Sequence, residues 1–391
     1  MTEQDSTQVL IIGAGLMGSA AAHQLAARGT EVTVVERDTA ASEHGSSHGS
    51  ARIFRYAYPD PFYTDLVKQA RRRYDELERL SGEQLITPGG ALDFGVRRNP
   101  RQLAGVLDEV GIDHELIPAS DAAERWPGIN FDTEVLWQPG GGVIDAESTV
   151  RAQLRLAIEA GARLHEHWEA ASIRRDGTSY LVTSTTGATI RAAQVVVAAG
   201  AWLSKLLAET ELPSAFIDRL PQAVVTQENA YHFPYRDAAD IGEPKPGAPT
   251  SWPTFIHKSE RILTYSLPGG RDANFRGQKL AEFLGGTPIT DGSTQTGEID
   301  PANRERIIDY VREVLPGLVP EPYAETTCLF TMLPEEDFLL DATEGLVIAS
   351  PCSGHGAKFA PLIGEFIAEL VFGATAHPRF AVTSPAWAVT R

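Results

Sequence analysis

Disulfides do not hold this chain together: its 391 residues include two cysteines, Cys328 and Cys352, too few for a stapled framework. A reducing compartment, the cytoplasm, is expected, and the two thiols need another role or none. Positive charge is also short. With 34 Lys and Arg against 52 Asp and Glu the formal net charge is −18, whereas a nucleic-acid surface shows as an excess of basic residues. No nucleic-acid partner is expected. Long hydrophobic runs are missing too. Nothing approaches the ~20 apolar residues of a membrane span, and the polar MTEQDSTQVL lacks the basic and then apolar stretch of an export signal. What remains reads as a globular protein, 42% hydrophobic and long enough for two or three domains at the usual ~150 residues each. Small molecules are the expected partners.

The most organised stretch is QVLIIGAGLMGSAAAHQLAARGTEVTVVER. VLII and EVTVV are short β-branched runs of buried parallel-strand type, and AAAHQLAA between them favours helix. At the first strand-to-helix junction stands GAGLMG, with Leu16 and Met17 filling the spaces between Gly15 and Gly18. Gly13 permits the tight turn, Gly15 lets a pyrophosphate approach the backbone, and Gly18 lets helix and strand pack closely. Glu36 ends the second strand, where a carboxylate accepts hydrogen bonds from ribose hydroxyls and repels a 2′-phosphate. The nucleotide is therefore FAD or NAD rather than NADP, and the pattern leaves open which.

An NAD dehydrogenase would continue directly in regular βα alternation. Instead comes SEHGSSHGSARIFRYAYPDPFY, dense in Gly, Ser and His. Its two histidines, His44 and His48, have no third ligand type nearby, so no metal is expected. In IFRYAY the guanidinium of Arg55 stands among aromatics, a setting better suited to holding a carboxylate than to facing water.

Farther on, DLVKQARRRYDELERL (65–80) reads as an amphipathic helix, NPRQLAGVLDEVG as a helix and DAAERWPGI as a capped turn. A helix over 147–160 is capped by Asp145 or Ser148. The strand QVVVAA runs into Gly200, Ala201 and Trp202, a small-residue turn where a second stretch of nucleotide can pass. AVVTQENAYHF and ILTYSLP flank a Pro/Gly-rich connection, EPKPGAPTSWP, and predict an antiparallel sheet. Near the C-terminal end LVIAS predicts a strand over 346–350. A turn with Gly354 and Gly356 follows, then a helix of about four turns from about Lys358. Its N-terminal amides suit an anionic group such as the N1–C2=O edge of a reduced flavin. Lys358, between Ala357 and Phe359, is expected to be directed and partly buried.

GAGLMG, HGSARIFRYAY, GGGVIDAE, VVAAGAW, GQKL, TTCLFT with EEDFLLD, and CSGHGAKF follow one another in that order along most of the chain. Together they resemble the monomeric sarcosine oxidase family, with N-methyltryptophan oxidase and pipecolate oxidase as relatives, among the flavin-dependent amine oxidases of the D-amino acid oxidase-like superfamily. The resemblance implies FAD, joined through its 8α-methyl carbon to Cys328; read alone, Cys328 fits a small buried residue. Attachment asks for a lowered thiol pKa. The same resemblance implies that Arg55 and Lys358 grip a substrate carboxylate and that Arg52 and His48 lie beside the flavin. It puts Lys279 over the opposite face of the ring, where its charge stabilises superoxide, and sets Glu36 and Arg37 on the adenosine half. Gly200, Trp202, Gly354, His355 and Gly356 join the cofactor contacts and Tyr265 the substrate contacts. Cys352 gains no role.

The implied reaction oxidises a secondary amino acid, bound with its amine neutral, to an imine, and passes two electrons through the flavin to oxygen, giving hydrogen peroxide. Where sarcosine-type enzymes have a histidine, in GLKLGYH, this chain has Phe283 in GQKLAEF. Where they have a tyrosine two residues after the cysteine, it has Phe330. Both changes favour a bulkier or more apolar N-substituted amino acid, or a cyclic one. A flavin dehydrogenase with another electron acceptor remains the alternative, as does a pipecolate-, proline- or fructosyl-amino-acid-type oxidase. The expected fold is α/β, with a Rossmann-type FAD-binding domain (1–80, 145–220 and 325–391) interleaved with an antiparallel-sheet substrate domain (81–144 and 221–324). By analogy the protein is a monomer.

Overall fold

The computed structural model describes residues 5–210, 214–236 and 252–390. Most of EPKPGAPTSWP, the Pro/Gly-rich connection, lies outside the described residues. Two large sheets carry the architecture. The first is parallel at its centre, where the strands stand in the order Arg163–His165, Val32–Val35, Asp5–Ile12 and Thr189–Val197. Thr189–Val197 is long enough to take two neighbours on its far side. Its first half pairs with Ser179–Ser184 and its last three residues with Leu346–Ser350. Val32–Val35 is buried along its whole length, as apolar runs in a sheet covered on both faces must be.

Helix Leu16–Ala26 follows the first strand directly and packs against the helices Ala146–Glu159 and Ala360–Val371. The last of these is preceded by a tight turn, Gly356–Phe359. The regular helix therefore begins two residues later than the expected start at Lys358, because Pro361 occupies its first turn, where no backbone N–H is needed. Asp145 caps Ala146–Glu159, accepting from Ser148 N at 2.9 Å, which decides between the two expected caps. The helix expected over 65–80 extends to Pro61–Ser81, since Asp60 caps it and Gly82 ends it in the left-handed region. DAAERWPGI, expected to be a capped turn, contributes to a short helix, Ala119–Arg125.

Among the described residues the second sheet has nine strands, including Val224–Phe233, Thr254–Lys258, Leu263–Pro268 and Gln278–Glu282. Its pairings are antiparallel as expected except one: Thr254–Lys258 runs parallel to Ala91–Phe94. A parallel neighbour needs a long connection, and about 160 residues separate these two strands. Ala324–Met332 pairs along Val224–Phe233, with Cys328 opposite Glu228. This segment, assigned from sequence to the nucleotide part, thus takes its hydrogen bonds from the second sheet. A small third sheet, Arg52–Phe54 with Gly142–Ile144 and Ile86–Pro88, lies just ahead of Arg55.

Candidate active site

The ends of the strands and the turns that follow them enclose a cavity of about 1010 Å³. One end is built by the glycine turn. Gly13 has φ +103°, and a side-chain carbon there would meet Ala198 O at 2.5 Å. At Gly18 the same carbon would sit 1.8 Å from Gly13 O, so helix and strand approach as closely as the sequence implies. Gly15, Leu16 and Met17 line the cavity, whereas Gly18 does not. Glu36 is fixed by two backbone donors, Ala14 N at 2.8 Å and Asp38 N at 3.0 Å. Arg37 lies over the Trp202 ring at 4.4 Å, and Trp202 donates to Ser293 Oγ at 2.9 Å. Glycines with no room for a side chain, an oriented acid and a helix N-terminus at one end of so long a cavity fit the adenosine and pyrophosphate of a dinucleotide.

Arg52, Lys279 and Cys328 also line the cavity. Arg52 donates to the carbonyls of Ala51, Ser46 and His48 and so closes the loop around them. Burial, and then Arg52, lower the Lys279 ammonium to about 8. His48 does not line the cavity. Its imidazole sits behind Arg52 and Lys279, lowered to about 4 by burial and by those two cations, and it is neutral at physiological pH. Burial pushes the Cys328 thiol up, against the pull of Lys279 and Arg52. That reverses the expected direction, because removal from water outweighs both cations. Cys352 also faces the cavity and is pushed up to about 11, again by burial.

The loop with Gly354, His355 and Gly356 meets the aromatic segment through Tyr58. Gly354 has φ +69°, and a side-chain carbon there would stand 3.2 Å from Phe330 and 3.4 Å from Phe283. The two phenylalanine rings lie 6.3 Å apart and line the cavity with Tyr265. Arg55 and Lys358 come together around a residue the sequence did not single out, Tyr58, with the guanidinium 4.5 Å and the ammonium 5.6 Å from its ring centre. The Tyr58 hydroxyl hydrogen bonds His355 Nδ1 at 2.9 Å. Lys358 is 4% exposed and donates to His355 O at 2.8 Å. Burial first, then Arg55, hold its ammonium well below the ordinary value, so an incoming anion would be welcomed there.

Of the residues expected at the site, the fold thus brings all but Gly18 and His48 to one cavity wall. Besides Tyr58, sequence reasoning missed Ser47, whose hydroxyl accepts from Leu16 N at 3.0 Å. It also missed Glu228, buried across the strand pair from Cys328, and Lys258, which lines the cavity. The aromatic spacing of IFRYAY was a usable signal for Tyr58. A lone lysine or glutamate in a strand offers none. Among the described residues no helix is long and apolar enough to cross a membrane.

Comparison with known proteins agrees with this geometry. The family profile described as "DAO: FAD dependent oxidoreductase" matches residues 8–370. Monomeric sarcosine oxidase of Streptomyces avermitilis is 31% identical over 387 residues, covering 95% of each chain. N-methyl-L-tryptophan oxidase of Yersinia pestis is 27% identical, over 92% of this chain and 93% of its own. Among solved structures, NikD, an unusual amino acid oxidase essential for nikkomycin biosynthesis, superposes with a TM-score of 0.81 at 26% identity over 96% of each chain. The chain belongs to the DAO family of FAD dependent oxidoreductases and is sarcosine-oxidase-like.

Proposed function

We propose that this enzyme is an FAD-dependent oxidase of secondary amino acids, N-alkyl or cyclic, that converts the CH–NH bond to an imine while O2 is reduced to H2O2. One observation carries the reading: Arg55 and Lys358 meet around Tyr58 in the cavity that also holds Lys279 and Cys328. FAD, when bound, supplies the two-electron acceptor.

The glycine turn, Glu36 and Arg37 would hold its adenosine half, with Gly200 and Trp202 alongside, and the Gly354–Gly356 loop would face its ring. Cys328 would hold the flavin by a thioether at its 8α-methyl carbon, made with loss of the thiol proton and one methyl proton and with two electrons passed on to O2, a role that Lys279 and Arg52 would support by favouring the thiolate against burial. The substrate carboxylate docks on Arg55 and Lys358, which fixes the position of the C–H to be broken. Phe283, Phe330 and Tyr265 exclude water around the amine, and together with the neighbouring cations they favour its neutral form. The lone pair is then free to assist C–H cleavage. Lys279 is protonated at neutral pH in keeping with its value of about 8 and favours the negative charge that develops on oxygen. His48 and Arg52 shape the loop behind it. The imine leaves and is hydrolysed by water. With two free cysteines the reading places the enzyme in a reducing compartment, the cytoplasm, as a monomer.

The test combines acid precipitation of the purified protein with a peroxide-coupled screen of N-methyl and cyclic amino acids. Yellow colour retained in the wild-type pellet, lost to the supernatant in Cys328→Ser, and peroxide formed with at least one secondary amino acid are the expected results. Flavin reduction by these substrates without peroxide would instead mark a dehydrogenase.

A further inference from the structure

We propose that Lys258 reads a second acidic group, so that the preferred substrates are secondary amino acids carrying a second carboxylate; this deepens the function proposed above and rests on it. Lys258 ends the strand Thr254–Lys258 and lines the cavity together with Arg55, Lys358, Phe283 and Phe330. Its ammonium lies 5.3 Å from the centre of the Phe283 ring. It forms no hydrogen bond or ion pair with another described residue. A ring face satisfies a cation less well than a charge-assisted hydrogen bond does.

The balance of charge around Lys258 points the same way. Besides burial, the groups that act on it are Arg98, Glu336, Arg55 and Asp93. Arg98 and Asp93 form a buried ion pair, and Arg98 is further held by Ala57 O at 2.9 Å, so these two charges are spent on each other. Three cations, Arg55, Lys258 and Lys358, then face one carboxylate, Glu336. That carboxylate is exposed at the cavity rim. A substrate with a single carboxylate on Arg55 and Lys358 leaves one positive charge over, on Lys258. A second carboxylate removes the excess and gives the half-buried ammonium a partner. Phe283 and Phe330 line the cavity with Lys258, where a histidine or tyrosine would compete for that partner. The second carboxylate can come from the amino-acid side chain or from the N-substituent; its chemistry at Lys258 is the same.

The experiment uses the purified flavin-containing enzyme and matched probes that differ only by replacing the second carboxylate with an amide. N-methyl-L-glutamate against N-methyl-L-glutamine tests the side-chain source, and N-(2-carboxyethyl)glycine against its amide tests the N-substituent. Glutarate against glutaramate, read by the flavin difference spectrum, reports binding without turnover. The acid is expected to win by roughly ten- to hundredfold in kcat/KM for one amino-acid pair and in affinity for glutarate, the worth of a charge-assisted hydrogen bond. Lys258→Gln should bring each ratio to within about threefold of one, and Lys258→Arg should restore much of the difference. The proposal is overturned if glutarate binds no more tightly than glutaramate, or if the preference survives in Lys258→Gln. Oxidation of both members of each pair at equal rates would overturn it alone and leave the oxidase reading standing. A glutarate preference that depends on Lys258, in a protein oxidising none of the amino acids, would support the subsite and defeat the oxidase reading.

Discussion

Arg55 and Lys358 carry substrate recognition in this account, and the two are not interchangeable. The guanidinium can engage a carboxylate through two parallel hydrogen bonds, while the lysine is a buried point charge. Arg55→Met is therefore expected to lower kcat/KM by ~2–5 kcal/mol, roughly thirty- to several-thousand-fold, as when one partner of a buried charge pair is removed. Unchanged steady-state kinetics would exclude the clamp. Lys279 yields a pH prediction. Its ammonium, lowered to about 8, is charged below that value and neutral above it. If the charge assists oxygen, the rate of flavin reoxidation measured by stopped flow should fall as pH rises through about 8, and Lys279→Met should be slow and flat with pH. Arg55 and Lys358 were legible because each stands in a short motif with its own physical logic, a guanidinium among aromatics and a lysine in a glycine turn, whereas Lys279 was reached only through the family resemblance. Lys258 was not, since nothing near it in FIHKSE tells that its strand ends at the cavity. The direction of the Cys328 shift was misjudged for a related reason, because depth of burial is a property of the folded chain.

At the scale of elements, the glycine turn joining Asp5–Ile12 to Leu16–Ala26 leaves no room for a side chain at Gly13 or Gly18. A methyl group at Gly18 would fall on backbone, 1.8 Å from Gly13 O, and backbone there cannot rotate aside. Gly18→Ala should cost ~1–3 kcal/mol or more and release flavin. The measurement is the melting temperature together with flavin content after gel filtration. Loss of neither would show that the turn has slack the geometry denies. Strand Ala324–Met332 has the opposite character, since it brings Cys328 and Phe330 from late in the chain to a sheet made of much earlier strands. Its existence could be read from TTCLFTM. Its partner could not, because pairing across almost a hundred residues leaves no local trace. The same holds for the parallel join of Thr254–Lys258 to Ala91–Phe94. Helix boundaries, by contrast, followed from local chemistry once the caps were known: Asp60 and Pro61 open a helix four residues ahead of its first obvious charged turn.

For the whole molecule, the parallel-centred sheet and the nine-stranded sheet both contribute residues to one cavity, and the chain passes between them several times. That interleaving is why the site draws on residues from positions 12 to 358, and why no single segment states the function. The order of the motifs carried it instead. What the order left open is the substrate, which depends on the shape and charge of the far wall, assembled from Tyr58, Lys258, Phe283 and Phe330 by tertiary contacts alone. The most direct test of the central claim is anaerobic titration of the purified enzyme with a panel of N-methyl and cyclic amino acids, followed by readmission of air. The account predicts that at least one member bleaches the flavin's visible band in stoichiometric amount, and that air restores the band with one H2O2 formed per flavin. A flavin left oxidised by every secondary amino acid in the panel would contradict it.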